Sequence, residues 1–159
     1  MKKFILLPIL ALFFLFSCEK DSPKPELPTL MNLKVMKEKK LSSGTITTEP
    51  KTAIIHVWNA ENSEFDIDAS PDIIFGYAYD KSSASFKTMK YGAIGSVMKE
   101  KIEPGRYFIY VLLPKSSDRS SLAYSYSYFE IKAGQTLDLF KVFSYDISSG
   151  TFEQWSENQ

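Results

Sequence analysis

The stretch Arg106-Tyr107-Phe108-Ile109-Tyr110-Val111-Leu112-Leu113 decides the fold class. Its β-branched and aromatic side chains suit a pleated backbone. Both of its alternating faces are apolar or aromatic, and Pro104-Gly105 and Pro114 bound it. A strand that is apolar on both faces is covered on both faces, so this one is predicted to be central in its sheet.

Similar short runs lie on either side. They occupy residues 53–58, 72–79, 86–91, 94–102, 122–131 and 136–143, with Gly, Pro, Ser or Asp between them. No window across this region carries an apolar i, i+3, i+4, i+7 stripe long enough to compete with the strand reading. About seven strands in roughly 100 residues predict an all-β domain, a single antiparallel two-sheet sandwich. In residues 137–143 the apolar phase slips at Leu139-Phe140, which predicts a β-bulge. Residues 31–41 admit two readings. Leu33 and Val35 alternate with polar residues as in a strand, whereas Leu30, Leu33 and Lys37 could line one side of a helical turn. The lysines at 34, 37, 39 and 40 read as a solvated edge, and Ser42-Ser43-Gly44 breaks the chain. The sandwich is therefore expected over residues 45–159.

Residues 18–44 are expected to form a Pro/Lys-rich tether. Pro23, Pro25 and Pro28 favour extended polyproline II, and a dozen such residues reach roughly 35–40 Å. Ahead of them, Lys2 and Lys3 precede an almost wholly apolar run over residues 4–16. That run is too short for a spanning helix, which needs ~20 residues, but it suits a secretory signal, whose apolar region is ~7–15. It ends at Leu15-Phe16-Ser17-Cys18, and Cys18 is the only Cys in the chain.

These four residues resemble a bacterial lipobox, with an aliphatic residue, a small residue and then the Cys that receives lipid. Phe16 is bulkier than the usual residue at its place. The resemblance implies a signal peptide over residues 1–17, a thioether-linked diacylglycerol and an amide-linked acyl chain such as palmitate on Cys18. Two or three acyl chains hold a protein on a membrane firmly, whereas one anchors it only marginally. Glu19, not Asp, follows the Cys. Asp at that place is the inner-membrane retention signal of many such lipoproteins, so the resemblance implies an outer-membrane lipoprotein, exposed at the cell surface on the further likeness of Glu19-Lys20-Asp21 to export tags.

A second resemblance lies at Ile102-Glu103-Pro104-Gly105-Arg106-Tyr107 and at Phe129-Glu130-Ile131-Lys132-Ala133-Gly134-Gln135-Thr136-Leu137-Asp138-Leu139. A Pro-Gly turn followed by Tyr opening an apolar strand, and a closing strand, Gly turn and strand, are similar to prealbumin-like sandwiches. These are the carboxypeptidase-regulatory-like and collagen-adhesin B-type repeats. The likeness spans roughly residues 52–145, without the Gly-rich opening usual in those repeats. It implies a spacer, stalk or interaction module without catalysis.

Composition narrows the chemistry. The 159 residues carry 19 basic and 19 acidic side chains, so there is no basic field for nucleic acid. One Cys excludes an internal disulfide and a Cys-rich zinc site, and one His excludes multi-His metal chemistry. No phosphate loop, dinucleotide fingerprint, C-x-x-C or H-E-x-x-H is present. His56, between Ile54 and Trp58 on one strand face, reads as a structural imidazole; as a base it would need a nucleophile and an orienting acid, and no G-x-S-x-G elbow supplies one. Glu61, Glu64, Asp66, Asp68 and Asp72 read as a solvated acidic loop, lacking the Gly and distal Glu of a calcium loop.

Aromatic content is the most suggestive feature. Tyr124, Tyr126 and Tyr128 share one strand face, Tyr77 and Tyr79 share another, and Trp58 and Trp155 lie elsewhere. Such faces join apolar area to a polar edge, as sugar rings and protein partners require; the other reading makes these tyrosines core residues with their hydroxyls at the rim, since seven strands need large side chains to fill two inner faces. The expectation is therefore a lipid-anchored, non-catalytic envelope module. It takes no cofactor, metal or nucleic acid, and its partners are the membrane, through Cys18, and an envelope protein or glycan. The alternative is a glycan-binding surface lipoprotein using Tyr124, Tyr126, Tyr128 and Trp58. An envelope hydrolase built on His56 stands third.

Overall fold

The structure is a computed structural model that describes residues 27–115 and 121–155. It is all-β, with β1 (Leu30–Lys40), β2 (Ile46–Pro50), β3 (Ala53–Asn59), β4 (Phe65–Asp66), β5 (Tyr77–Asp80), β6 (Ser85–Thr88), β7 (Tyr91–Gly95), β8 (Val97–Lys101), β9 (Gly105–Pro114), β10 (Ser121–Ile131), β11 (Thr136–Phe143) and β12 (Thr151–Phe152). They form three open sheets. In the first, β1 is central, with β11 parallel on one side; β8 pairs with its first half and β2 with its second on the other. The second runs β12-β10-β9-β3-β7, and the small third runs β4-β5-β6.

The central-strand expectation for residues 106–113 matches β9, third of five strands in the second sheet. Tyr107, Ile109, Val111 and Leu113 point to one side, where they meet Met31, Leu33 and Val35 of β1, Leu139 and Phe143 of β11, and Ile55 and Val57 of β3. Phe108, Tyr110 and Leu112 point to the other, against Trp58, Phe65, Ile73 and Ala78. The first two sheets thus enclose one core in sandwich-like fashion, and residues 60–90 cover the far face of the second sheet with another. Burying a large apolar side chain contributes ~1.5–3 kcal/mol, so β9 is anchored twice over. At its entry the Tyr107 hydroxyl donates to the Glu103 carbonyl at 2.9 Å, closing the Pro104-Gly105 turn as a tyrosine corner does.

Several expectations need correction. The tether cannot reach residue 44, because residues 30–40 are β1, with Met31, Leu33 and Val35 fully buried. Of the two readings of that segment, the alternating one holds, and the lysines fall on its outward positions and its protruding end. The run 72–79 is not one strand. Ile73–Phe75 forms a 3-10 turn that ends at Gly76, whose φ of +88° only glycine adopts freely, and β5 starts after it. A Cβ at Gly76 would also lie 2.9 Å from the Met89 side chain. The run 86–91 divides between β6 and β7, which belong to different sheets, and the run 94–102 crosses from β7 to β8 at Ser96. β2, β4 and β12 went unforeseen, and the described residues hold three sheets where one two-sheet sandwich of about seven strands was expected.

The bulge expected at Leu139-Phe140 is absent. β11 pairs with β1 in unbroken register from Thr136 to Phe143. The irregular residue is Lys141, which points inward and is buried beside Leu139 and Phe143, while Phe140 faces outward beneath the Lys34 ammonium, 5.3 Å from its ring. Burial lowers the Lys141 pKa, and the nearby Glu153 carboxylate opposes that shift. The ammonium donates to the Gln154 carbonyl at 2.9 Å and lies 3.7 Å from Glu153. The segment that includes β12 therefore closes one open edge between the two large sheets, inserting Trp155 against Phe129 with ring centres 5.0 Å apart.

Candidate functional site

Tyr124, Tyr126 and Tyr128 share the face of β10 that is turned toward residues 60–90, as their alternation requires, and each is half-buried. Tyr124 stacks on Tyr110 at 5.8 Å, and Tyr126 packs between Phe108 at 5.7 Å and Phe152 at 4.8 Å. Tyr128 packs on Phe108 at 5.0 Å, and its hydroxyl accepts the Phe65 backbone N–H at 2.7 Å. The Arg106 guanidinium lies 4.2 Å from the Tyr128 ring centre and reaches Glu64 Oε1 at 3.4 Å. Burial pushes the Tyr128 phenol up, an effect opposed by the Phe65 hydrogen bond, and burial likewise raises the phenols of Tyr124 and Tyr110. The row therefore joins the insert of residues 60–90 to the second sheet. What remains open is a groove of about 300 Å³ lined by Tyr126, Ser127, Tyr128, Phe152, Gln154 and Trp155.

Trp58 does not join this groove. It is 1% exposed, wedged against Phe65 and Phe108, and its indole N–H donates to the Lys87 carbonyl at 3.1 Å. As a ligand-contacting residue it is corrected to a core residue: its strand face is the one that residues 60–90 cover.

His56 is buried on the same face, with Nδ1 3.0 Å from the Ile73 carbonyl oxygen. A carbonyl only accepts, so Nδ1 carries the proton of this bond. Burial lowers the imidazole pKa and the backbone bond opposes this, which leaves the ring neutral near pH 7.

The acidic loop engages in local contacts. Asp66 Oδ1 accepts from the N–H groups of Asp68 at 3.0 Å and Ala69 at 3.2 Å, and Oδ2 lies 3.0 Å from the Lys81 ammonium. The hydrogen bond from Lys81 is the chief cause lowering the Asp66 pKa. Glu61 Oε2 accepts from the Arg106 N–H at 3.2 Å. Among the described residues, no three His, Cys, Asp or Glu side chains converge on a metal-sized space.

Sequence reasoning passed over Asp80, which is buried. It accepts from the Ser83 hydroxyl at 2.7 Å, the Ser63 hydroxyl at 3.0 Å, and the N–H groups of Glu64 at 3.1 Å and Ser82 at 3.0 Å. Burial alone would raise this carboxyl, but those donors together outweigh it and hold the pKa at about 2. The signal was available in Asp80-Lys81-Ser82-Ser83, where an Asp at a strand end is followed by hydroxyl residues that suit an Asx turn.

A second aromatic face lies on the outside of the third sheet. Tyr77 and Tyr79 alternate with the buried Ala78 and Asp80 on β5. Phe86, on β6, pairs with Tyr79 in register, and their rings meet edge-on at 5.4 Å. Tyr77 is 47% and Phe86 55% exposed.

Cys18 and the expected signal peptide over residues 1–17 lie outside the described residues. No helix among the described residues is long and apolar enough to cross a membrane. Comparisons with family profiles, curated proteins and solved structures return no match for this chain.

Proposed function

We propose that this protein is a lipid-anchored module of the bacterial cell envelope, held at the outer membrane through acyl chains on Cys18 and serving a structural or interaction role without catalysis. Within this reading the two large sheets are a prealbumin-like sandwich, to which the Tyr107 corner and the turn at Gly134 conform, and the third sheet is an addition to it.

The observation that carries the reading is how the chain enters the domain. Thr29 is buried; its carbonyl accepts from the Ile102 N–H at 3.0 Å and its hydroxyl accepts from the Gly134 N–H at 2.9 Å. The chain then continues directly as β1, paired on both sides. A pull from a membrane anchor would load a central strand in shear, along its whole ladder of hydrogen bonds. An edge strand would peel one bond at a time. Eleven residues lie between Cys18 and the start of β1, of which three are prolines.

Metabolic labelling with a clickable palmitate analogue tests this. The wild-type chain takes up label and fractionates with the outer membrane, and Cys18→Ser abolishes both. An unlabelled wild-type chain, or label that survives the substitution, sinks the reading.

A further inference from the structure

We propose that the outer face of the third sheet, built on Tyr77, Tyr79 and Phe86, is a saccharide-binding platform. This gives the anchored module a partner class, and it rests on that reading only for where the sugar is met.

The register lays out the chemistry. Asp66, Tyr79 and Phe86 are cross-strand partners in one row over β4, β5 and β6, and Tyr77 with Thr88 forms the next row. Partners in register share a face. Lys81 follows Asp80 on β5, and its ammonium pairs with Asp66 at 3.0 Å. Neighbouring strands lie ~4.8 Å apart, so the row of carboxylate, phenol and phenyl spans about 10 Å, the length of one to two pyranose rings. The carbon-bound hydrogens of a pyranose form an apolar face that covers an aromatic ring, and its equatorial hydroxyls then project sideways. Here they would meet the Asp66 carboxylate, the Lys81 ammonium and the Thr88 hydroxyl.

The same layout disfavours a protein partner. The centre of a protein interface is depleted in charged residues, which gather at its rim. On this face the Asp66–Lys81 ion pair adjoins Tyr79, and no aliphatic side chain occupies the two paired rows. Tyr79 and Phe86 meet edge-on, so a hydroxyl-rich polymer lying across the face would cover one ring, meet the edge of the other and find polar groups between them.

The face also differs from the one that sequence alone put forward. On β10 the Tyr128 hydroxyl and ring are taken up by Phe65 and Arg106. Tyr77 and Phe86 are about half exposed and belong to neither core cluster, so the fold is expected to survive their removal.

The test uses the full chain in mild detergent on a printed array carrying β-glucan, xylan, mannan, chitin and N- and O-glycan oligosaccharides. Binding to at least one saccharide class is expected. It should fall at least tenfold in the Tyr77→Ser/Phe86→Ser double variant, with the melting temperature unchanged, and persist in Tyr126→Ala. An array without signal, or binding that survives the double substitution, overturns the proposal. So does a concentration-dependent dimer in sedimentation velocity that the double variant abolishes, because the occupant would then be a second copy of this chain. None of these results bears on acylation of Cys18, so the anchor and the platform fail separately.

Discussion

Two strands of this protein carry the same local pattern and use it differently. β10 reads Tyr124-Ser125-Tyr126-Ser127-Tyr128, and β5 reads Tyr77-Ala78-Tyr79. In both, alternation puts the tyrosines on one face. On β10 that face is turned toward the insert of residues 60–90, and the tyrosines become mortar between layers. On β5 it is turned away from the molecule, and the small Ala78 makes the inward contact. Periodicity shows which side chains share a face, whereas whether that face is covered depends on segments elsewhere in the chain.

The largest effect should come from the residue on which the insert rests. Trp58→Ala removes an indole packed between Phe65 and Phe108 together with its bond to the Lys87 carbonyl. We expect a loss of ~3–5 kcal/mol in urea unfolding, as for other buried aromatic truncations. A loss below 1 kcal/mol would mean that the insert is not packed on the second sheet as described.

Asp80 gives a smaller effect with a pH signature. Asp80→Ala removes the shared acceptor of two part-buried N–H donors and two hydroxyls, and we expect a loss of about 1–3 kcal/mol near neutral pH. The folded carboxyl sits at about 2 against an ordinary 3.8. Its contribution is complete above the unfolded value and disappears as pH falls from about 4 toward 2. The wild type should therefore lose stability across that window, and the variant should lose less. Parallel curves from pH 5 to 2 would remove Asp80 as the cause.

Tyr128→Phe sharpens the comparison most narrowly. It keeps the ring under Arg106 and removes only the acceptor for the Phe65 N–H. We expect a loss of about 1 kcal/mol and faster hydrogen exchange at the Phe65 amide. The exposed Tyr77→Ser should shift stability by no more than ~0.5 kcal/mol. Equal effects at the two positions would dissolve the distinction between the faces.

Much of the fold was legible locally. β3, β9, β10 and β11 lie where short β-branched and aromatic runs put them, because a pleated strand imposes a period of two on its own side chains. The failures are equally physical. Ile73, Ile74 and Phe75 form an apolar run without period, and such a run does not distinguish a strand from a tight turn. In β11 an inward lysine looked like a slipped phase, because the groups that make its burial tolerable, the Gln154 carbonyl and the Glu153 carboxylate, lie beyond the strand's own end. At the aromatic faces, Tyr124, Tyr126 and Tyr128 were identified as a row, but the covering insert could not be read from the row itself.

From its own sequence the chain determines where strands run, which side chains share a face, that β9 is apolar on both sides, and that a solitary thiol follows an apolar head. These are consequences of residue type and of a backbone repeat two residues long. Only the tertiary structure decided that β1 belongs to the domain as the central strand of its first sheet, that Trp58 is walled in, and that the outward tyrosines are those of β5. Each of those outcomes depends on contacts between residues far apart in the chain, and such contacts leave no mark on the local pattern of either partner.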